Sequence, residues 1–171
     1  MAVLLSDEVV VLRPLTPDDV DEWMAGEDDE QVHWFEFPGP APRSNVERAI
    51  ADWAESWRSD GPVRHWAICD QETDRIIGGV ELRDLGDGKV NVSYVVFPAW
   101  RRRGIATRAC RLALAYAAAV MECRAAMFKM RQGNAASIAV ARKLGAAVTG
   151  MEVTEAGNIS LVLQLALEST R

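Results

Sequence analysis

The sequence lacks any apolar run that approaches the roughly 20 residues needed to cross a bilayer. Its first residues, MAVLLSDEVVVL, also lack the basic start and the small-residue cleavage site of a signal peptide. We therefore expect a cytoplasmic protein that has no membrane partner. Cysteine is scarce too: Cys69, Cys110 and Cys123 show no Cys-x-x-Cys or Cys/His ligand spacing. This argues against a disulfide framework and a structural zinc site, so we expect packed thiols and no bound metal.

The chain has no internal repeat, low-complexity tract or Gly/Ser linker. Its 171 residues are 49% hydrophobic, with a mean hydropathy of -0.05, which is typical of one globular domain with a sizeable core. We predict a single domain over residues 1–171.

Basic residues are rare in the first 60 positions, which hold 4 Lys and Arg against 15 Asp and Glu. The remaining residues hold 15 against 10, and the whole chain has a formal net charge of -6. A pI near 5.0 disfavours nucleic acid as a partner. The second part suits a small anion. The first part suits a cation, or is simply a solvated acidic surface.

The first 60 residues predict one strand and two helices. VVVLRPL is strand-like, and TPDDVDEW predicts a helix capped by Thr16, with Pro17 at its first position. HWFEFPGPAPR reads as a loop rich in aromatic residues. Ser44 or Asn45 is expected to cap the next helix, whose apolar residues recur at helical spacing. Those residues are Val46, Ile50, Trp53 and Trp57.

The rest of the chain predicts a strand-rich unit. RHWAICDQ, RIIGGVELRDL and KVNVSYVVF predict an antiparallel meander joined by ETD and GDG turns. A helix over 106–122 and the strand AAMFKM should follow, and such a crossover makes the strands on its two sides parallel. NAASIAVARKLG predicts a helix that ends at Gly145, before a closing hairpin around EAGN. The predicted apolar stripe of helix 106–122 is Ala109, Leu112, Ala113, Tyr116 and Val120.

The stretch AWRRRGIATRA places three arginines and Gly104 between a strand and the long helix. A tight turn over residues 101–106 would expose unpaired N–H groups at the positive end of the helix dipole, as phosphate sites do. Gly104 would permit a positive φ and a close approach of the ligand. Taken alone, the stretch also fits an ordinary basic loop.

The order of elements and four motifs resemble the GNAT superfamily of N-acetyltransferases over nearly the whole chain. Arg101, Gly104 and Ala106 match the fixed positions of its [Gln/Arg]-x-x-Gly-x-[Gly/Ala] pyrophosphate loop. The family's Asn-x-x-[Ser/Ala] element, on a helix that ends in Lys-Leu-Gly, is matched by Asn134, Ser137 and residues 143–145. IGGVEL and VSYVVFPAW complete a pattern that looks most like the branch of ribosomal-protein N-terminal (alanine/serine) acetyltransferases.

The resemblance implies a mixed α/β fold and acetyl-CoA as the cofactor. The sheet would have about seven mostly antiparallel strands with a parallel, splayed central pair, and about four helices. Main-chain groups of Val95, Val96 and Phe97 would hold the pantetheine, with Asn134 nearby unless it is only a helix cap. Backbone N–H groups near Val95 and Val96 would stabilise an oxyanion. The pyrophosphate site would comprise Arg101, Arg102, Arg103, Gly104, Ile105, Ala106 and Thr107.

The acid and base of the reaction are less well marked. An acidic residue of related enzymes appears as Asn91 here, and Glu81 is the nearest substitute for the base, unless it is only a surface carboxylate. A tyrosine common in relatives is replaced by Ala141. Ser137, Tyr94 or a water would then protonate the departing thiolate.

The acceptor pocket would draw on the acidic and aromatic segment at residues 28–36. Trp34, Phe35, Glu36 and Asn91 are the predicted acceptor-binding residues, although the rings of Trp34 and Phe35 could instead anchor the loop. Of the two histidines, His33 lies in the predicted loop and is a weak candidate for a base. His65 lies in a strand and is expected to be a packed or edge residue.

These observations predict an acetyl-CoA-dependent N-acetyltransferase that acts on a protein N-terminus or on a small amine, such as an antibiotic or a polyamine. Direct attack in a ternary complex would transfer the acetyl group. One alternative is a non-catalytic acyl-CoA-binding sensor or partner module of the same fold. Another, weaker alternative is a nucleic-acid-binding module built on the arginine cluster. A homodimer is a reasonable expectation, because parts of the V-shaped sheet would be exposed.

Overall fold

The computed structural model describes residues 3–168. Its strands are β1 (Leu5–Ser6), β2 (Val10–Arg13), β3 (Val63–Asp70), β4 (Ile76–Gly86), β5 (Lys89–Val96), β6 (Ala125–Arg131), β7 (Ala147–Val153) and β8 (Ile159–Ala166). Its α-helices are α1 (Val20–Gly26), α2 (Asp29–Trp34), α3 (Arg43–Arg58), α4 (Ile105–Ala119) and α5 (Ala135–Lys143). Short 3₁₀ turns at Pro17–Asp19 and Pro98–Trp100 precede α1 and α4.

The strands form one open sheet of eight in the order β1-β2-β3-β4-β5-β6-β8-β7. All neighbouring strands are antiparallel except β5 and β6, which are parallel as the crossover predicted. The mixed α/β fold with its parallel pair is therefore confirmed. The count exceeds the expected seven strands because the two-residue β1 pairs with β2.

Helices cover both faces of the sheet. Alternate residues of β3 show this, because Ala67 packs in a cluster with α1 and α3, whereas Trp66 packs in a larger cluster with α4. The three cysteines are all buried. No helix within residues 3–168 is long and apolar enough to span a membrane.

Helix α2 is the main element that the sequence did not predict. Asp28 caps it by accepting a 3.0 Å hydrogen bond from the Gln31 backbone N–H, and two acids occupy its first turn. These are favourable features at a helix N-terminus. The predicted loop therefore starts after Trp34 rather than at His33, and the helices number five rather than about four.

Two helix details were wrong. Helix α3 begins at Arg43, because the Asn45 and Val46 amides already bond to the Pro42 carbonyl, so neither Ser44 nor Asn45 is its cap. Helix α4 ends at Ala119, which leaves Val120 outside the buried stripe and 61% exposed.

The glycine pair in IGGVEL allows β4 to approach its neighbours closely. A Cβ on Gly78 would lie 2.2 Å from the Val95 carbonyl oxygen on β5. A Cβ on Gly79 would lie 2.6 Å from the Trp23 ring on α1. These contacts fix the positions of β5 and α1, which both line the site described next.

Candidate active site

A cavity of about 930 Å³, called here the larger cavity, lies where β5 and β6 separate. Its walls come from α2, the end of β5, the loop before α4, and the first turns of α4 and α5. The predicted residues that line it are Tyr94, Val95, Val96, Arg101, Arg102, Arg103, Gly104, Ile105, Ala106, Thr107, Asn134 and Ser137. Trp34 and Phe35 line it too, whereas Phe97 does not.

The loop before α4 presents an open helix N-terminus to this cavity. Gly104 is the N-cap residue with φ 77°, and no side chain caps the helix. Arg102 also has a positive φ of 61°, so two nearby residues are left-handed, a geometry that gathers backbone N–H groups into an anion-binding concavity. A Cβ built on Gly104 meets no atom within 4 Å, so the space in front of these amides is open. The residues therefore fit a pyrophosphate group.

The three arginine side chains have different surroundings. Arg101 donates to the Val96 carbonyl at 2.9 Å, to both Asp28 carboxylate oxygens at 2.8 Å and to Glu30 at 2.6 Å. Its bonds to Asp28 hold the pKa of that carboxyl below its usual value. Arg103 stacks over the Trp100 ring at 5.1 Å, and Arg102 is exposed. Arg101 thus connects the loop to α2, and the other two can meet an anion.

The edge of β5 is open where β6 leaves it. The two strands share three residue pairs, the last between Asn91 and Met127. The Phe97 N–H bonds to the Ile77 carbonyl on β4, so by alternation the Val96 N–H faces the side from which β6 has separated. This strand edge can therefore accept an extended ligand.

Helix α5 and its cap residue form another wall of the larger cavity. Asn134 caps it by accepting a 3.0 Å hydrogen bond from the Ser137 amide, which is the cap role expected as one alternative. The Tyr94 hydroxyl donates to the Ser137 carbonyl at 2.9 Å, and burial raises the pKa of Tyr94. Its proton is therefore retained at neutral pH. Ala141 is fully buried, and its methyl side chain offers no hydroxyl there.

A second cavity of about 220 Å³, the smaller cavity, adjoins the larger one. Gln31, Phe35, Tyr94 and Val95 line both cavities. The other residues of the smaller cavity come from α1 and the residue that follows it, from α3, β3, β4 and β5, and from the loop after α2. They are Trp23, Glu27, Phe37, Ala41, Asn45, Val46, Ala49, Trp53, His65, Gly79, Glu81 and Ser93.

His65 is a packed residue, as expected, and part of an aromatic group in the smaller cavity. Its ring is stacked on Trp53 with centroids 3.6 Å apart and planes at 6°, and Trp23 meets it edge-on. Burial lowers the pKa of His65 to about 3. The ring is therefore neutral at physiological pH and carries no charge into the cavity.

Two carboxylates line the smaller cavity. Glu81, the predicted base, accepts a 3.1 Å hydrogen bond from the half-exposed Arg83. Glu27 accepts a 3.2 Å bond from the Trp23 indole, and burial raises its pKa above the usual value. A carboxylate with a raised pKa is a better proton acceptor, so Glu27 is a second candidate base.

The remaining predicted acceptor residues lie elsewhere. Asn91 lies opposite Arg83 in the register of β4 and β5, and its side-chain amide donates a hydrogen bond to the Ser93 hydroxyl. It lines neither cavity. Glu36 accepts hydrogen bonds from Asn158 and Thr154 of the closing hairpin. Glu36 therefore ties the loop after α2 to that hairpin, while the exposed His33 lies outside both cavities.

The sequence reasoning missed Glu27 and Gln31. No helical period marks them, because α1 ends at Gly26 and the backbone is extended at Glu27 and Asp28, so the four-residue spacing does not run along one helix. Gln31 is 8% exposed and Glu27 is partly buried. Within residues 3–168, no group of three or more His, Cys, Asp or Glu side chains could hold a metal ion.

Comparison with known proteins gives one family. The model of the acetyltransferase (GNAT) domain matches residues 10–147. No curated protein matches the sequence significantly.

Solved structures share the fold at low identity. RimL, a ribosomal L7/L12 alpha-N-protein acetyltransferase in complex with coenzyme A, is 13% identical with a TM-score of 0.87, over 98% of this chain and 99% of that one. RimJ of Mycobacterium smegmatis, in complex with CoA-disulfide, is 18% identical with a TM-score of 0.83, over 99% and 88%. A ribosomal-protein-S5-alanine acetyltransferase from Vibrio fischeri is 14% identical with a TM-score of 0.84, over 99% of both chains.

Proposed function

The chain belongs to the GNAT acetyltransferase family, and from that premise we propose that it is an acetyl-CoA-dependent N-acetyltransferase acting on a primary amine. One observation carries the proposal. The larger cavity begins at the uncapped N-terminus of α4, follows the open edge of β5 and adjoins a smaller cavity that contains two carboxylates. This arrangement supports the proposal because it suits, in sequence, an anion, an extended chain and an acceptor amine.

Acetyl-CoA would occupy the larger cavity and supply an acetyl group activated as a thioester. The α4 amides at residues 105–107, with Arg102 and Arg103, would bind its pyrophosphate. The Val96 N–H would hydrogen-bond the extended arm of the coenzyme as a neighbouring strand does. Solved structures of RimL and RimJ with coenzyme A compounds support this choice of ligand.

The acceptor amine would enter the smaller cavity. Its neutral nitrogen attacks the thioester carbonyl carbon, the new N–C bond replaces the C–S bond, and the proton lost by nitrogen balances the proton gained by sulfur. A lysine-like amine of pKa about 10.4 must lose a proton at a cost of roughly 4.6 kcal/mol at pH 7, against about 1.4 kcal/mol for an α-amine of pKa about 8. Glu27, with its raised pKa, would take that proton, with Glu81 as the second candidate.

The sulfur of the departing thiolate would receive its proton from a residue in the wall that the two cavities share. Tyr94 keeps its proton at neutral pH and lines both cavities, and Ser137 lies next to it. We propose Tyr94 as the proton donor, with Ser137 as the alternative.

A non-catalytic acyl-CoA-binding module is the second candidate. Two observations favour it. Ala141 is buried and has no hydroxyl that could protonate the thiolate, and the Tyr94 hydroxyl already donates its hydrogen bond to the Ser137 carbonyl. The two candidates share the coenzyme site and differ in turnover.

Calorimetric titration with acetyl-CoA tests the shared site, with desulfo-CoA and 3′-dephospho-CoA as comparison ligands. Micromolar binding is expected, and no binding at millimolar ligand would refute both candidates. Release of free thiol in the presence of amines separates them: binding without thiol release across a broad panel of amines and peptides would favour the module.

A further inference from the structure

We infer that the smaller cavity receives a primary amine carried on a compact apolar group, and that the side-chain oxygen of Gln31 accepts an N–H of that amine. The inference rests on the proposed function, which it extends by naming the class of acceptor. Its basis is an unpartnered buried amide, the size and lining of the cavity, and the sign of its charges.

Gln31 lies in the wall that the two cavities share, and it is 8% exposed. Its Oε1 has no hydrogen-bond partner within the described part of the chain. Buried amide oxygens are nearly always paired, because an unpaired one has lost its water without replacement. A donor that arrives with the acceptor would supply the missing bond in the wall that the two cavities share.

The cavity is small and mainly apolar. Its volume of about 220 Å³ lies below the ~300–1,000 Å³ that is typical of small-molecule pockets, so it suits a compact ligand. Trp23, Trp53 and the stacked His65 form one aromatic group in its lining, and the stacked rings of Phe35 and Phe37 form another. Such a lining favours a branched or aromatic hydrocarbon group and disfavours a second charge, which would lose its hydration there.

The charges of the cavity select an amine. Its charged lining side chains are Glu27 and Glu81, and none of the described lining residues is Lys or Arg, although Arg83 pairs with Glu81 from outside the lining and leaves Glu27 as the unpaired negative group. The buried His65 ring adds no positive charge. A cationic amine is therefore attracted, whereas an anionic acceptor is repelled.

Two kinds of molecule carry such an apolar primary amine. One is a free arylalkyl or branched alkyl amine, and the other is a polypeptide whose first residue has an apolar side chain. One panel separates them: phenethylamine, isoamylamine, ethylamine and putrescine as free amines, and tetrapeptides that differ only in a first residue of Leu, Phe, Ser, Asp or Lys. We expect kcat/KM at least tenfold higher for the apolar members of one set or both than for the charged members. Equal or higher rates with putrescine or with Asp-first and Lys-first peptides would overturn the inference.

Two variants test the named residues. Gln31→Met removes the amide but keeps the length of the side chain, so we expect a ten- to hundredfold loss in kcat/KM with apolar amines and an unchanged or higher melting temperature. Asp29→Asn, on the exposed side of the same helix, is the matched control. Ala49→Phe narrows the cavity from α3 and should lower kcat/KM for phenethylamine at least tenfold more than for ethylamine. A Gln31→Met enzyme with full activity, or an Ala49→Phe enzyme with no change in size preference, would contradict the assignment.

A binding measurement keeps this inference separate from the proposed function. Trp23 and Trp53 line the cavity, so a seated amine should alter tryptophan fluorescence, and Ala49→Phe should abolish the response to phenethylamine. Binding of apolar amines without acetyl transfer would sustain the amine site and refute the enzyme. Acetyl transfer without any apolar preference would sustain the enzyme and refute the amine site.

Discussion

The buried His65 makes the stability of this protein depend on pH in a way that can be calculated. Its pKa of about 3 in the folded state lies below the ordinary value of 6.5. Below pH 6.5 the unfolded chain therefore binds a proton that the folded chain excludes, and the free energy of unfolding falls as pH falls. The loss is about 1.4 kcal/mol per pH unit, which amounts to about 2 kcal/mol between pH 6.5 and pH 5.

The substitution His65→Phe keeps an aromatic ring against Trp53 and removes the titrating group. The larger ring carries a packing cost of about 1–3 kcal/mol. That cost is the same at both pH values and cancels in their difference. Carboxylate titrations affect both proteins equally and also cancel. Between pH 7.5 and pH 5, the free energy of unfolding of the variant should therefore fall by about 2 kcal/mol less than that of the parent protein.

Urea unfolding followed by circular dichroism at pH 7.5 and pH 5.0 measures this difference. For a chain of this size, 2 kcal/mol corresponds to a melting-temperature shift of about 4–8 °C. His33→Asn is the matched control, because His33 is the other histidine and is exposed. Equal losses of unfolding free energy by the His65→Phe protein and the parent between the two pH values would show that His65 does not cause this pH dependence.

Three further predictions concern the site and its support. Gly104→Asp should abolish acetyl-CoA binding in calorimetry. Gly157 has a similar positive φ and open surroundings, so Gly157→Asp should have the same backbone cost of about 1–2 kcal/mol and still bind acetyl-CoA normally. Equal affinities of the two variants would refute the assignment of the pyrophosphate loop. Glu27→Gln should lower kcat and remove the acidic limb of the pH–rate profile with little change in coenzyme affinity, and the same effect from Glu81→Gln instead would make Glu81 the base. Gly78→Ala forces a Cβ to within 2.2 Å of a backbone carbonyl on β5, so it should lower the melting temperature and weaken coenzyme binding together; a stable variant with normal affinity would contradict the close approach.

The strands and the turn before α4 could be predicted because their signals are local. Runs of β-branched and aromatic residues mark β3 to β5, and Gly104 marks the left-handed turn. Helix α2 was missed because it has only six residues and most of them are polar, so no apolar period announces it.

The candidate site was only partly predictable because two of its properties are not local. Arg101 bonds to Asp28, 73 residues earlier in the chain, so the sequence alone does not show that its charge is already paired. The raised pKa of Glu27 depends on burial beside Trp23, whose ring is itself packed against Phe97. Residue type and spacing do not reveal such burial.

The short contact between β5 and β6 divides the sheet into two blocks for the purposes of hydrogen exchange. One block is β1 to β5 and the other is β6 to β8, and three residue pairs between β5 and β6 join them. By contrast, β4 and β5 are paired along nearly their whole length. Amide protection should therefore alternate along the end of β5, with the Val95 N–H held by β4 and the Val96 N–H free to exchange. A ligand bound along this edge would slow exchange at Val96 and leave Val95 unchanged. The rate at one amide would thus report occupancy of the whole cleft.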